Sequence, residues 1–189
     1  MASGLSMPVG YKNGTDGSFK AAIDAILTAK VPHHFLGINQ DGLASIVETT
    51  GNPDGHLVLR GGAVKPNYEA KDIEAAIKTL KKKAMNSRLM IDCSHGNSKK
   101  DYTKQIEVLD SINQQIEAGS PHIAGVMIES HLVEGNQAIP KDGKPAIYGQ
   151  SITDACVNWE TTEEMLHSLA NSVAKGRPEV RQSLASVAR

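Results

Sequence analysis

The sequence is poor in aromatic residues, has almost no net charge and lacks long apolar runs, and each shortage excludes a class of protein. Phe, Trp and Tyr make up only 4% of the chain, so we expect no aromatic platform on which unpaired bases stack. A net charge of −1 gives no electrostatic attraction to nucleic acid or to an anionic membrane surface. No apolar run approaches the roughly 20 residues that a membrane-spanning helix needs. We therefore expect neither nucleic acid nor membrane as a partner.

Cysteine is also scarce, and the first residues have none of the features of a secretory signal. Cys93 and Cys156 form neither a Cys-x-x-Cys pair nor a disulfide framework. The opening segment, MASGLS, contains no basic stretch followed by an apolar one. Both observations favour a reducing, cytoplasmic location.

The sequence does contain a series of short apolar runs, each followed by a reactive side chain. The runs are residues 8–11, 56–59, 88–94 and 123–128, and they end at Lys12, Arg60, His95 and Glu129. Reactive groups at the C-terminal ends of successive parallel strands are the way in which a (β/α)₈ barrel builds its active site. Only four such units are present, and a complete barrel takes about 250 residues. The pattern therefore predicts an α/β fold that corresponds to half of a TIM barrel.

Apolar residues at helical spacing predict the helices of this fold. The predicted helices cover residues 18–30, 68–83, 100–118 and 161–176, with Ile106 and Leu166 on the buried stripes of the last two. Thr161 and Glu164 form a capping box that predicts the start of the fourth helix. Residues 34–38 and 44–48 flank a polar turn and predict a β-hairpin inserted before the Arg60 strand. A loose polar tail is expected over residues 177–189.

Two of the strand ends carry cations that suit an anionic ligand. Lys12 precedes the glycine-rich residues 13–17, whose backbone N–H groups can approach a phosphate closely. Arg60 precedes Gly61 and Gly62, and a guanidinium can hold phosphate or carboxylate through two parallel hydrogen bonds. Each residue also has an ordinary alternative, which is a surface lysine beside a turn for Lys12 and an interdomain salt bridge for Arg60.

The other strand ends supply a set of metal-ligating side chains. His95 alone suits a metal ligand, a general base or a hydrogen-bonded structural residue. Glu129 directly follows a buried strand, where an unpaired carboxylate is costly. Asp154 lies beyond the last strand, where an aspartate often caps a helix or a turn. Together the three offer one nitrogen and two carboxylates, a donor set that suits manganese, iron, cobalt or zinc without choosing among them.

At this point the chain resembles a known family, the class I 3-deoxy-D-arabino-heptulosonate 7-phosphate synthases, also called phospho-2-dehydro-3-deoxyheptonate aldolases. The segments that carry the resemblance are SGLSMPVGYKNGTDG (residues 3–17), LRGG (59–62), MIDCSHGNS (90–98), GVMIESHLVEG (125–135) and YGQSITDAC (148–156). The resemblance covers residues 1–176. It implies that these residues are the C-terminal half of a TIM-barrel synthase domain.

The resemblance implies an activity and a role for each candidate residue. These enzymes condense phosphoenolpyruvate with erythrose 4-phosphate on a divalent metal, release phosphate and so begin the shikimate pathway to the aromatic amino acids. Lys12 and Arg60 match positions that bind phosphoenolpyruvate, and His95, Glu129 and Asp154 match three of the four metal ligands. Lys12 and His95 are therefore the expected catalytic residues. The intact family enzymes are expected to be homo-oligomers.

The chain also departs from the family's pattern. The half that carries the first four strands, a cysteine ligand and parts of both phosphate sites has no counterpart here, and neither Cys93 nor Cys156 matches that ligand. We therefore expect the isolated chain to be inactive. The resemblance further places Ser6, Phe35 and Val47 in the region where family members under feedback control bind an aromatic amino acid.

Two other interpretations remain open from the sequence. The chain can be a non-catalytic half-barrel module that pairs with a full-length subunit. It can also belong to a related synthase that condenses phosphoenolpyruvate with a different phosphosugar, although the segment KNGTDG that begins at Lys12 and the segment ESHL that begins at Glu129 disfavour this interpretation.

Overall fold

The structure is a computed structural model, and it describes residues 1–141 and 143–177. Its strands are β1 (Val9–Lys12), β2 (His33–Ile38), β3 (Ala44–Thr49), β4 (Gly55–Leu59), β5 (Leu89–Asp92), β6 (Ile123–Met127), β7 (Val133–Asn136) and β8 (Gln150–Ser151). Its helices are α1 (Lys20–Ala29), α2 (Ala70–Lys82), α3 (Gln105–Glu117) and α4 (Trp159–Gly176), and short 3₁₀ turns cover Ala2–Gly4 and Tyr102–Lys104. None of the helices in these described ranges combines the length and the apolar character that crossing a membrane requires.

A four-stranded parallel sheet organises the chain, in the order β1-β4-β5-β6. Lys12 pairs with Val58 across β1 and β4, and Asp92 pairs with Met127 across β5 and β6. Between β1 and β4, the strands β2 and β3 form a separate antiparallel hairpin. The predicted parallel strands and the hairpin inserted before β4 are confirmed.

The apolar core lies on one side of the sheet, between the strands and the helices. Alternate residues of a strand point to opposite faces, and those that join the core are Leu57, Leu59, Leu89, Ile91 and Ile123. They pack with residues of all four helices, among them Ile23, Ile77, Leu109 and Met165. Burial of these side chains is the main favourable contribution to folding.

The opposite face of the sheet carries different residues and leads to the candidate site. A Cβ on Gly10 would lie 2.8 Å from Val58 Cγ2, and a Cβ on Gly125 would lie 3.4 Å from Met90 Cε. These four residues therefore share the face that points away from the helices. Lys12 is two residues after Gly10, and Asp92 is two residues after Met90, so the side chains of both also belong to this face.

Helix α3 differs from the prediction at its start and in its buried face. The predicted helix begins at residue 100, but α3 begins at Gln105 after the 3₁₀ turn. The side chain of Gln105 is fully buried because it bonds to the backbone of the neighbouring strand end. This orientation turns Val108 into the core and leaves Ile106 41% exposed, so the prediction for Ile106 is wrong.

Helix α4 begins before the predicted capping box. Asn158 precedes the helix, and its side chain accepts a hydrogen bond from the backbone N–H of Thr161. Asparagine is among the best N-cap residues, so the helix starts at Trp159 and not at Thr161. Leu166 is 47% exposed, and the prediction that it is buried is also wrong.

One pair of strands was not predicted from the sequence, and the contacts of Arg177 differ from the prediction. β7 and β8 form a short parallel ladder that joins the segment after β6 to the segment before α4. Arg177, predicted to belong to a loose tail, donates from its guanidinium to the carbonyls of Ser120 at 3.0 Å and Ile123 at 2.8 Å. Residues 178–189 of the predicted tail lie outside the described residues.

Two loops at the C-terminal edge of the sheet meet through glycine backbones. Gly61 has a positive φ of 75°, and a Cβ there would overlap the backbone of Gly96 and Asn97. A Cβ on Gly96 would in turn lie 2.8 Å from the carbonyl carbon of Gly61. The loops after β4 and β5 can therefore approach this closely only because both positions lack a side chain.

This contact predicts the cost of adding one methyl group. We expect Gly61→Ala to lower the free energy of unfolding by about 1–3 kcal/mol more than Gly119→Ala, because the methyl group overlaps a packed backbone. Gly119 is a matched control, since its φ is also positive at 87° but a Cβ there meets nothing within 4 Å. Urea unfolding of both variants measures the difference, and equal losses would contradict the prediction.

Candidate functional site

The four predicted strand-end residues lie at one edge of the sheet, because parallel strands end on the same side. Lys12 is the last residue of β1, and Arg60 directly follows β4. His95 is three residues beyond β5 and Glu129 two residues beyond β6, so neither ends its strand directly as the sequence pattern had suggested. Asp154 comes from the segment between β8 and α4.

Three buried asparagines hold the loops at this edge in place. The side chain of Asn13 accepts a hydrogen bond from the backbone N–H of Arg60 at 2.8 Å and donates to the carbonyl of Gly61 at 3.1 Å. Asn67 donates to Asn13 at 3.2 Å and accepts from the N–H of Gly61 at 2.7 Å. The Asn97 side chain accepts from the N–H of Asn67 at 2.8 Å. This network fixes the backbone of Arg60 through bonds that compensate the burial of its polar groups.

Asp92 is a fully buried carboxylate at the centre of the site. Its Oδ2 lies 2.7 Å from Lys12 Nζ and 2.9 Å from His95 Nδ1. Its Oδ1 accepts a hydrogen bond from the backbone N–H of Ser94 at 2.9 Å. A buried charge without partners is very costly, and this one is compensated by the Lys12 ammonium and the Ser94 N–H, with the His95 ring beside it. No role for Asp92 was expected from the sequence, although a charged residue inside an apolar run was a signal that could have identified it.

The backbone and the ring contacts of His95 direct its imidazole toward two carboxylates. His95 has a φ of 54°, a left-handed conformation that is uncommon for residues other than glycine. Its Nε2 lies 3.5 Å from Glu129 Oε1 and 3.6 Å from Asp154 Oδ2. Its Nδ1 is buried beside Asp92, and the angle of this 2.9 Å contact is not that of a well-directed hydrogen bond. A histidine that binds a metal through Nε2 carries its proton on Nδ1, so a bound metal would give Asp92 a donor at this contact.

Glu129 is fixed by residues that sequence reasoning also missed. Its Oε2 accepts a hydrogen bond from the hydroxyl of Ser94 at 2.7 Å. Its backbone N–H donates to Gln105 Oε1 at 2.8 Å, and its carbonyl accepts from Gln105 Nε2 at 3.0 Å. Gln105 is the first residue of α3, and no sequence signal pointed to this role.

The three proposed ligands fit a divalent cation. One donor atom from each of His95, Glu129 and Asp154 lies within 4.8 Å of the others, the separation expected for ligands around one ion. The histidine nitrogen and two carboxylate oxygens suit a first-row divalent metal. The side chain of Asp154 is 70% exposed, whereas those of His95 and Glu129 are about one-fifth exposed, so the third ligand comes from the surface.

Comparisons with known proteins show the family of this chain. The sequence model described as the DAHP synthetase I family matches residues 1–167. The chain belongs to this family. It is 53% identical over 184 residues to phospho-2-dehydro-3-deoxyheptonate aldolase AMT16 of Alternaria alternata, and the match covers 97% of this chain and 49% of the relative. It is 51% identical to the Phe-sensitive phospho-2-dehydro-3-deoxyheptonate aldolase of Escherichia coli K12, with 94% of this chain and 50% of the relative covered.

A solved structure of the DAHP synthetase I family is similar as well. The phospho-2-dehydro-3-deoxyheptonate aldolase from Francisella tularensis SCHU S4 superposes with a TM-score of 0.87 at 51% identity. The superposition covers 93% of this chain and 51% of that one. The chain therefore spans about half the length of these three family members.

The residues expected at a regulatory site of this family lie around the hairpin. Phe35 and Val47 are opposite each other on β2 and β3. Ser6 is exposed in the segment before β1, and the 3₁₀ turn ahead of it contacts the hairpin where Thr49 Oγ1 donates to Ser3 Oγ at 3.0 Å. The structure brings Phe35 and Val47 together and places Ser6 on the neighbouring segment.

Neither cysteine of this family member contributes a donor to the site. Cys93 is fully buried in the core on the helical side of the sheet, and this burial raises the pKa of its thiol to about 12. Burial also raises the pKa of the Cys156 thiol. Because only a thiolate is a good ligand and nucleophile, both residues behave as small apolar side chains.

This burial predicts that Cys93 is protected from alkylation. With a pKa of about 12, the thiolate fraction at about pH 8 is on the order of 10⁻⁴, so iodoacetamide reacts on the order of 10³-fold more slowly than with the unfolded chain. Mass spectrometry of the folded and urea-unfolded protein measures both rates at Cys93. Equal rates in the two states would contradict the prediction.

Proposed function

We propose that the chain is the C-terminal half-barrel of a 3-deoxy-D-arabino-heptulosonate 7-phosphate synthase, with the domain over residues 1–176. In this reaction phosphoenolpyruvate, erythrose 4-phosphate and water give the seven-carbon product and inorganic phosphate. The enzyme is a transferase, and its product enters the shikimate pathway to chorismate and the aromatic amino acids. The superposition on half of the Francisella tularensis relative supports the barrel assignment.

One observation carries this proposal. His95 Nε2 meets the carboxylates of Glu129 and Asp154 within 3.6 Å, and the cation Lys12 contacts the same histidine through Asp92. A metal-ligand set and an anion-binding set thus adjoin at the C-terminal edge of a parallel sheet, where TIM-barrel enzymes hold their substrates. Membership of the family gives this arrangement its substrates.

Lys12 and Arg60 are the residues that we expect to bind phosphoenolpyruvate. The substrate carries a phosphate and a carboxylate, and the ammonium and guanidinium groups neutralise both while its enol carbon attacks the aldehyde. Arg60 Nε is buried and has no hydrogen-bond partner among the described residues. A buried donor without a partner is costly, and an anionic ligand would satisfy it. Lys12 would also compensate the negative charge of the substrate when water adds to it and phosphate leaves.

His95, Glu129 and Asp154 would hold the divalent metal, which is manganese, iron, cobalt or zinc. When bound, such a metal supplies a Lewis acid that polarises the aldehyde of erythrose 4-phosphate. His95 would present Nε2 to the ion and Nδ1 to Asp92, and the Ser94 hydroxyl donates to the second oxygen of Glu129. These contacts keep two of the three ligands oriented before the ion binds.

The remaining features of the proposal concern regulation, assembly and location. The Escherichia coli relative is named Phe-sensitive, and we infer that an aromatic amino acid binds this chain near Ser6, Phe35 and Val47. A homo-oligomer is part of the proposal for the complete enzyme. A cytoplasmic location is supported by the free thiols of Cys93 and Cys156, a state that a reducing compartment maintains.

Removal of one ligand tests the metal site. We expect His95→Ala to weaken Mn²⁺ binding at least about tenfold, because the site keeps only two carboxylate ligands. Electron paramagnetic resonance measures free Mn²⁺ during a titration of the chain. His167→Ala is the control, since His167 is 77% exposed on α4 and lies outside the site. Unchanged binding after His95→Ala would contradict the assignment.

A joined protein tests the activity. The chain is fused at Met1 to the part of the Francisella tularensis enzyme that precedes the superposed region. With Mn²⁺ and erythrose 4-phosphate we expect this protein to consume phosphoenolpyruvate, and we expect the 189-residue chain alone to be inactive because it lacks part of the proposed site. Arg60→Met should lower kcat/KM at least about a hundredfold, which is the effect of losing about 3 kcal/mol of charge stabilisation.

The controls separate this proposal from its alternatives. Arg88→Met in the joined protein removes an exposed arginine outside the site and should leave kcat/KM within about twofold. Consumption with another phosphosugar in place of erythrose 4-phosphate would point to a different synthase. A folded joined protein without turnover on any aldehyde would contradict the proposed activity and favour a non-catalytic module.

A further inference from the structure

We propose that Asp92 is the positioning residue that links the two parts of the site, by orienting the Lys12 ammonium and the His95 imidazole with one carboxylate. The inference rests on the proposed function, because it assigns phosphoenolpyruvate to Lys12 and the metal to His95. It adds a residue that touches neither ligand. Metal binding and substrate binding would both depend on the Asp92 carboxylate.

The first support is that one oxygen makes both contacts. Asp92 Oδ2 lies 2.7 Å from Lys12 Nζ and 2.9 Å from His95 Nδ1, and the carboxylate has no exposure to solvent. The Lys12 side chain is 35% exposed and has four flexible methylene groups, so it has many orientations without a fixed partner. The only ion-pair partner that holds Lys12 in the described ranges is Asp92.

The second support is that the hydrogen-bond partners of this carboxylate among the described residues are donors. Oδ1 accepts from the backbone N–H of Ser94, and Oδ2 faces an ammonium that can only donate. His95 Nδ1 is also a donor when Nε2 is the ligand atom. An amide of the same shape fails here in both orientations, because its NH₂ group meets either Ser94 N–H or Lys12. The position therefore requires a group that accepts at both oxygens.

The third support is the position of Asp92 in the chain. It is the last residue of β5, and its backbone carbonyl accepts from Asn97 Nδ2 at 2.8 Å, so its main chain belongs to the asparagine network. The carboxylate therefore stands on rigid backbone, and it can orient a flexible lysine on one side and a histidine on the other. Partners of metal-bound histidines act in this way and change metal affinity by about 10–100-fold.

The test is Asp92→Asn in the joined protein, an almost isosteric change. We expect Mn²⁺ affinity to fall at least tenfold, measured by electron paramagnetic resonance, and phosphoenolpyruvate affinity to fall at least fivefold, measured by calorimetry. The nitrogen modulation of the Mn²⁺ spin echo, which reports the bound imidazole, should weaken as well. A purely structural role would not change this signal in protein that remains folded.

Ser172→Ala is the matched control for the loss of a buried hydrogen bond. Ser172 is buried on α4 and donates to Glu117 at 2.8 Å, outside the site, so this variant should keep both affinities within twofold. Thermal unfolding followed by circular dichroism compares the folded fraction of all variants. Asp92→Glu provides a second test, because it keeps the charge but displaces the carboxylate oxygens by one methylene group. It should also weaken the binding of both Mn²⁺ and phosphoenolpyruvate.

The outcomes distinguish this inference from the function on which it rests. Loss of affinity for both Mn²⁺ and phosphoenolpyruvate in folded Asp92→Asn or Asp92→Glu supports the inference. An unsubstituted joined protein that binds both ligands, together with folded variants that bind them equally well, overturns this inference alone. Loss of only one affinity also overturns it, because the two contacts would then be independent. An unsubstituted joined protein that is folded and binds neither ligand overturns the proposed function and this inference with it.

Discussion

The compensation of one buried charge, that of Asp92, determines how the candidate site is built. A carboxylate removed from water is stable only when its neighbours return the lost solvation, and here Lys12, His95 and the backbone of Ser94 do so. Lys12 ends β1, whereas His95 and Ser94 follow β5, and β4 lies between these two strands in the sheet. The site therefore depends on the order of the sheet, since a different strand order would leave the charge uncompensated.

The distribution of residues over the two faces of the sheet makes this arrangement possible. Each of the four described helices contributes residues to the core on the face that carries Leu57, Leu59 and Ile91. On the second face, Gly10 and Gly125 have no side chains and leave room for the larger side chains of Val58 and Met90. Polar groups at the strand ends then need only local support, which the asparagine network and Gln105 provide.

Much of the fold could be predicted because short apolar runs and helical spacing are local signals. The four parallel strands, the hairpin and the helices α1 and α2 follow directly from such patterns. The start of α3 could not be predicted, because Gln105 faces inward to bond with Glu129, a residue distant in sequence. The pair β7 and β8 was missed for a similar reason, since a two-residue strand has no periodicity to detect.

The candidate site was predictable to the extent that reactive residues followed apolar runs. Lys12, Arg60, His95 and Glu129 satisfy that condition, and the structure places them at one edge. Asp92 and Ser94 lie within the run itself, where a polar residue is read as an interruption. Asp92 contacts Lys12 and Ser94 contacts Glu129, residues that are distant in sequence and close only in the folded sheet. The residues that orient the site are therefore harder to find from the sequence than those that are expected to bind ligands.

The glycine contact between the loops after β4 and β5 has a consequence for how this sequence can vary over time. Gly61 and Gly96 touch through their backbones, so a substitution at one is not relieved by a smaller residue at the other, which is already minimal. A second substitution at either position therefore cannot compensate for the first, and both Gly61 and Gly96 are expected to stay glycine. Insertions elsewhere in the same two loops carry no such penalty as long as this contact persists. We therefore expect natural variation to change the length and charge of these loops and to leave their point of contact unchanged.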